Sequence, residues 1–219
     1  IWAGTGEVNS SRSSYAGSGV YTSEDEGATW EHVGLAASHH IGRIVLDPTD
    51  QDIAYVAALG PLYSENNTGG IFKTTDAGKS WRRVLFAPGD NGDAGAVDLI
   101  MNPQDPLHLF AVLWDRTRRA WDFVGNGSGS GVWESLDGGE NWQAQTFSDL
   151  DTSHFAGGFD ADRYSIDARG NQVAFAMFNG LSDSFIMTSE DNGETWSYET
   201  MVDFPVDNYV VDSGDLLDA

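Results

Sequence analysis

The sequence predicts an all-β protein assembled from repeated four-stranded antiparallel sheets, and three observations predict it. An eight-residue pattern, [ST]-x-D-x-G-x-[STN]-W, occurs four times, as Ser23–Trp30, Thr74–Trp81, Ser135–Trp142 and Ser189–Trp196. Copies sit between short apolar segments of strand character, so that each reads as a turn joining two strands. The 219 residues include 26 Gly and only 6 Pro, with 12% aromatics, a composition that suits short strands and tight turns and leaves little room for long helices.

The pattern has a physical reading. Its Asp carboxylate is placed to accept hydrogen bonds from backbone N–H groups of the turn, and its Gly supplies a positive φ. The hydroxyl two residues before the Asp and the hydroxyl or amide four residues after it tie the strands together, and the Trp covers the gap to the neighbouring sheet. The structural set is therefore Ser23, Asp25, Gly27 and Trp30; Thr74, Asp76, Gly78 and Trp81; Ser135, Asp137, Gly139 and Trp142; and Ser189, Asp191, Gly193 and Trp196.

Along the chain, Ile1 falls in the second strand of one unit. Arg43–Leu46 and Ile53–Ala58 are the first and second strands of the next, turned by Asp47-Pro48-Thr49-Asp50, and Gly70–Lys73 and Trp81–Phe86 complete it. Val97–Met101 and Leu107–Leu113, turned by Asn102-Pro103-Gln104-Asp105, lead to Gly131–Glu134. Both turns carry a type I signal. Tyr164–Ile166, Val173–Phe178 and Ser184–Met187 repeat the order, and Tyr209–Val211 with Leu216 and Leu217 begins another unit. The expected units are a partial one over 1–35, complete ones over 36–87, 88–148 and 149–203, and a start over 204–219.

The Trp residues of the pattern recur at intervals of 51, 61 and 54 residues, slightly longer than the ~40–50 residues of a four-stranded propeller blade, which leaves room for long loops. The predicted architecture is a β-propeller portion of about four blades. Strands cut at both ends, and the rarity of small rings, favour an arc of a larger propeller and a longer parent chain over closure of Tyr209 beside Ile1.

The four copies and their context resemble the Asp-box propellers, whose members include sialidases, xyloglucanases, sortilin-type receptors and photosystem assembly factors. Ile1–Glu7, Ser38–Arg43 and Trp114–Trp121 are similar to large secreted bacterial proteins with sortilin-like propellers, often labelled glycosyl hydrolases. The resemblance implies that the Asp boxes lie at the outer rim, opposite a ligand face built by the loops between second and third strands and between successive blades. Sialidase chemistry is excluded on the residues: its arginines come from different blades and its first box follows Arg-Ile-Pro, whereas here arginines crowd one loop and that motif is absent.

Thirty-four acidic residues against eleven basic ones give a net charge of −23, a field that repels nucleic acid and anionic membranes. With lysine limited to Lys73 and Lys79, the composition reads as a secreted or cell-envelope protein from a marine or salt-rich habitat. The absence of Cys removes disulfides, thiolate metal sites and Cys nucleophiles. No apolar stretch is long enough to span a membrane. No cofactor or metal is expected: the Asp boxes lack the ligand spacing of a calcium loop, and two adjacent histidines lack a third ligand.

The long loops carry the candidate ligand face. They contribute Glu7, Asn9, Arg12 and Tyr15; His39 and His40; Arg116, Arg118, Arg119, Trp121 and Phe123; and Asp149, Asp151, His154, Asp160 and Asp162. Three arginines within four positions beside Trp121 suit a carboxylate or sulfate, with the indole as a stacking face. The bland reading is an internal ion network with Asp115 and Asp122 that pins the loop. Asp160 and Asp162 with Glu7 are the acids that a glycosidase pair would draw on. The favoured expectation is a non-enzymatic binding or scaffold module whose loop face contacts a peptide, a glycan or a partner domain; the alternative is a glycoside hydrolase fragment.

The charge generates a test. Salt shortens the Debye length from ~30 Å at 0.01 M to ~3 Å at 1 M, so screening of self-repulsion should raise the melting temperature steadily as NaCl is added over that range. A flat or falling curve in calorimetry would contradict salt adaptation.

Overall fold

The computed structural model describes residues 1–125, 127–145, 163–169, 171–178 and 184–202. The first sheet holds β1 (Trp2–Gly4), β2 (Val20–Thr22) and β3 (Glu31–Gly34), and the second β4 (Ile41–Leu46), β5 (Ala54–Ala58), β6 (Gly70–Thr74) and β7 (Arg82–Leu85). A small hairpin, β8 (Pro88–Gly89) with β9 (Gly92–Asp93), leads to the third sheet. That sheet starts with β10 (Gly95–Asn102) and β11 (Asp105–Trp114), makes an excursion through β12 (Thr117–Arg118) and β13 (Phe123–Val124), and ends with β14 (Gly131–Ser135) and β15 (Gln143–Ala144). The fourth holds β16 (Arg163–Arg169), β17 (Gln172–Phe178), β18 (Ser184–Ser189) and β19 (Ser197–Val202). Each sheet is an antiparallel meander, and the only helical segment among the described residues is a 3₁₀ turn, Ala36–Ser38. This is an arc of a β-propeller. The segment 204–219, including Tyr209, lies outside the described residues.

The second strands of the two middle sheets, β5 and most of β11, are buried on both faces, which is why they read as continuous apolar runs. Along β11, Leu109, Ala111 and Leu113 pack with Tyr55, Ala57 and Ile71 of the second sheet, while Phe110, Val112 and Trp114 pack with Ile166, Phe175 and Met187 of the fourth. On β5, Tyr55 and Ala57 face the third sheet, and Val56 and Ala58 face the first, beside Val20 and Ile41. The two-residue period of the strand thus distributes one segment between two cores.

All four Asp boxes have the expected bonds. The Asp Oδ1 accepts from the backbone N–H four residues on, at 2.8 Å from Thr29 and Ser80 and 2.9 Å from Asn141 and Thr195. The side chains of those residues donate to Oδ2, and the hydroxyls of Ser23, Thr74, Ser135 and Ser189 donate to Oδ1 while accepting from the box glycine N–H. Bonds from the fourth residue on, through its side chain and backbone, hold each of the four carboxyls at about 2, with the backbone N–H leading at Asp137. The turn uses two left-handed residues where the sequence pointed to one: Gly139 (φ 81) follows Gly138 (φ 69), and Ala77 and Asn192 occupy the equivalent strained place elsewhere.

The box also joins sheets. Trp2, Tyr55 and Phe110 hold equivalent second-strand positions, each paired with the residue before the box of its own sheet. The ring of each meets the box glycine of the following sheet: a Cβ on Gly78 would lie 3.1 Å from Trp2, on Gly139 3.2 Å from Tyr55 and on Gly193 2.5 Å from Phe110. The Tyr55 hydroxyl and the Lys73 ammonium both donate to the Gly138 carbonyl at 2.8 Å. Trp81 Nε1 donates to the Val33 carbonyl at 2.6 Å and its ring stands edge-on to Trp2, as Trp196 does to Phe110. Trp30 differs, being 45% exposed.

These contacts rank two substitutions. Phe110→Ala removes a 3% exposed ring that Gly193 and Trp196 rest on, and should cost about 3–5 kcal/mol. Trp30→Ala should cost under about 1 kcal/mol. Urea denaturation of the two variants checks the order; equal losses would contradict the inter-sheet role of the ring.

Candidate functional site

Antiparallel order puts the loops between second and third strands, and those between successive sheets, at the end of the sheets away from the Asp boxes. The first loop is tied internally: Glu7 N–H donates to the Tyr15 carbonyl at 3.1 Å, and Tyr15 N–H returns to the Glu7 carboxylate at 3.3 Å. Arg12 and Tyr15 are exposed, and the Arg12 carbonyl accepts from the Tyr63 hydroxyl of the next sheet's loop at 2.8 Å. His39 is half-buried with φ 57, and His40 is 1% exposed. Burial first, then the Arg116 and His39 charges, pull His40 down to about 4, against a hydrogen bond to the Glu7 backbone, so the imidazole is neutral at pH 7.

The arginine loop separates by depth. Pairing of Thr117 with Val124 and Arg118 with Phe123 makes a short hairpin, closed by mutual backbone bonds between Arg119 and Asp122. Trp121 stands at its tip, 81% exposed, with Arg119 exposed beside it. The Arg118 guanidinium lies 4.6 Å from the centre of the Phe123 ring, so that Phe123, not Trp121, is its stacking face. Arg116 is only 7% exposed and lies beneath the hairpin, donating to the carbonyls of Pro61 at 3.3 Å and Gly60 at 3.4 Å. Burial and the neighbouring Arg118 bring it down to about 10.

The internal ion network is corrected by the structure. Asp115 turns to the backbone, accepting from Asp90 N–H at 2.8 Å and Gly129 N–H at 3.1 Å, and Asp122 accepts from Phe123 N–H. Among the described residues, none of Arg116, Arg118 and Arg119 has a carboxylate partner. No cluster of three or more His, Asp or Glu among them is arranged to hold a metal ion. His154 and Asp160, with Asp149, Asp151 and Asp162, lie outside the described residues.

One polar cluster escaped sequence reasoning. Arg43 on β4 donates to Asp98 on β10 through Nε at 2.7 Å and Nη2 at 3.3 Å, and the same carboxylate accepts from Ile166 N–H on β16 at 3.2 Å. The available signal was a single charge inside the apolar first strand of each of two successive repeats.

With this geometry, the sortilin–Vps10 family model, described as "Sortilin, neurotensin receptor 3", matches residues 18–163. The chain belongs to the sortilin–Vps10 family. A xyloglucanase from Paenibacillus sp is 25% identical over 175 residues, 78% of this chain and 16% of the relative. A vacuolar protein sorting/targeting protein 10 from Kluyveromyces lactis is 38% identical over 72 residues, 33% of this chain and 4% of the relative. The chain thus spans a small part of the curated relatives it matches. A solved structure of a Dyadobacter fermentans protein of unknown function covers 87% of this chain and 59% of its own, at 16% identity and a TM-score of 0.49. Among the described residues of this sortilin-family chain, no helix is long and apolar enough to cross a membrane.

The buried His40 sets an acid response. Its folded value lies below the ordinary 6.5, so the unfolded chain binds more protons between pH 6.5 and 4, and stability falls on acidification through that window. The box carboxylates, held at about 2 against 3.8, lose their contribution only below that. Denaturation midpoints measured from pH 7 to 4 should fall in the wild type and flatten in His40→Gln; an unchanged slope in the variant would assign the loss to other groups.

Proposed function

We propose that this chain is a non-enzymatic, ligand-binding part of an extracytoplasmic sortilin-type propeller, and that its loop face takes an acidic ligand, either a carboxylate-bearing peptide or an acidic glycan. The observation that carries the reading is the arginine hairpin: three guanidinium groups without carboxylate partners among the described residues, in a chain of net charge −23. A carboxylate there gains charge-assisted hydrogen bonds against a field that repels it elsewhere. Arg119 and Trp121 offer the first contact, Arg118 is held over the Phe123 ring, and the buried Arg116 adds positive potential.

A second reading, a fragment of a glycoside hydrolase, is supported by the 25% identity to a xyloglucanase over 78% of the chain. It needs two opposed carboxylates across a cleft. Glu7 is one candidate, Asp160 the other.

A glycan and peptide array probed with the protein, with an Arg118→Ala/Arg119→Ala variant and with Trp121→Ala tests both. The double variant should weaken binding and flatten its salt dependence, because fewer ionic contacts remain to be screened. Trp121→Ala should weaken binding with little change in salt slope, since stacking is not screened. Equal retention by all three proteins would move the site elsewhere. Turnover of xyloglucan by the whole protein, abolished by Glu7→Gln or Asp160→Asn, would favour the hydrolase.

A further inference from the structure

A cavity of about 290 Å³ opens between the first three sheets; its Trp114 wall packs edge-on against Phe123 of the arginine hairpin. It is lined by Val8 and Asn9 of the first loop, Gly42 and Arg43 of β4, Val97 and Asp98 of β10, and Trp114 at the end of β11. That volume admits a single pyranose ring, and the cavity is open to solvent on one side.

Two β-bulges build it. Pairing skips Gly42 between Ile41 and Arg43, and skips Val97 between Ala96 and Asp98, so successive first strands carry a bulge at the same place. Bulges re-aim side chains, and here both flanking charges turn onto each other. Gly42 is required by the close approach of the strands, because a Cβ there would lie 2.3 Å from the Val97 carbonyl oxygen.

The polar groups are fixed in orientation. Asp98 is almost fully buried and its carboxylate is engaged by Arg43, by Leu99 N–H at 2.9 Å and by Ile166 N–H. The Arg43 side chain is 48% exposed, and its Nη1 has no hydrogen-bond partner among the described residues. Asn9 accepts through Oδ1 from Ser11 N–H and the Ser14 hydroxyl, which fixes the amide and leaves its Nδ2 as a donor. Val8, Val97 and Trp114 supply apolar wall. The Arg43–Asp98 pair is neutral and the Asp167 charge also acts on Arg43, so the cavity offers oriented donors without a net positive charge to draw an anion.

We propose that this cavity binds one neutral polyhydroxylated ring, a free monosaccharide or the terminal unit of a glycan. Ring hydroxyls accept from Arg43 and Asn9, and the C–H face of the sugar lies on the apolar wall, the combination of a few placed polar groups and apolar lining that marks small-ligand pockets. The site needs no arginine of the acidic-ligand reading, although Asn9 belongs to the same loop face.

Saturation-transfer NMR of the whole chain with D-glucose, D-xylose and D-galactose tests it. At least one sugar should give saturable transfer, and an excess of sodium acetate, which the arginine hairpin would take, should not displace it. Val8→Trp, which fills the cavity and leaves the Arg43 and Asp98 side chains in place, should abolish the sugar signal while the melting temperature stays near that of the wild type. Arg43→Lys should weaken binding tenfold or more, because a point charge cannot reproduce the held fork. Absence of transfer from all three sugars, loss of the sugar signal on addition of acetate, or a sugar signal that survives Val8→Trp would overturn the proposal.

Discussion

The contact between a box glycine and the aromatic ring of the preceding sheet is the constraint on which the rest of the arc depends. A side chain at Gly193 would collide with Phe110, one at Gly78 or Gly139 would press tightly on Trp2 or Tyr55, and the left-handed backbone there independently disfavours one. The same turn therefore closes its own hairpin and seats the next sheet at a fixed distance. Once seated, the second strands of the two middle sheets are covered on both faces, and a single strand such as β11 serves two cores.

Scarce basic residues are concentrated where sheets meet. Lys73 and Arg82 of the second sheet reach Glu140 of the third at 3.2 and 2.5 Å, and Arg43 reaches Asp98. The exposed pairs at Glu140 are screened by water and contribute little on their own. The Arg43–Asp98 contact is different in kind, since the carboxylate is buried and also satisfies backbone N–H groups. Against this pattern of paired cations, the arginine hairpin on the third sheet stands apart.

Much of the fold was legible because the Asp box is local: its donors and acceptors lie within seven residues, so spacing alone specifies the bonds. The receiving rings were not, since Trp2, Tyr55 and Phe110 find their glycines across a sheet boundary that only strand register defines. Depth was equally hidden. Adjacent His39 and His40 differ in burial because the chain turns between them, and Arg116 and Arg118 look alike in sequence yet one lies beneath the hairpin and the other along it. Arg43 and Asp98 stand 55 residues apart, and bulges at Gly42 and Val97, invisible in a hydrophobic pattern, bring them together.

Repeat architectures are commonly described as chains of units in which each senses only its immediate neighbours. Asp98 departs from that description. One carboxylate on the third sheet is shared between a side chain of the second and the backbone of the fourth, so displacement of either outer sheet alters what the carboxylate offers the other. Such a three-body contact lengthens the distance over which blades order together, and it adds, on the inner strands, a second level at which neighbouring sheets are coupled.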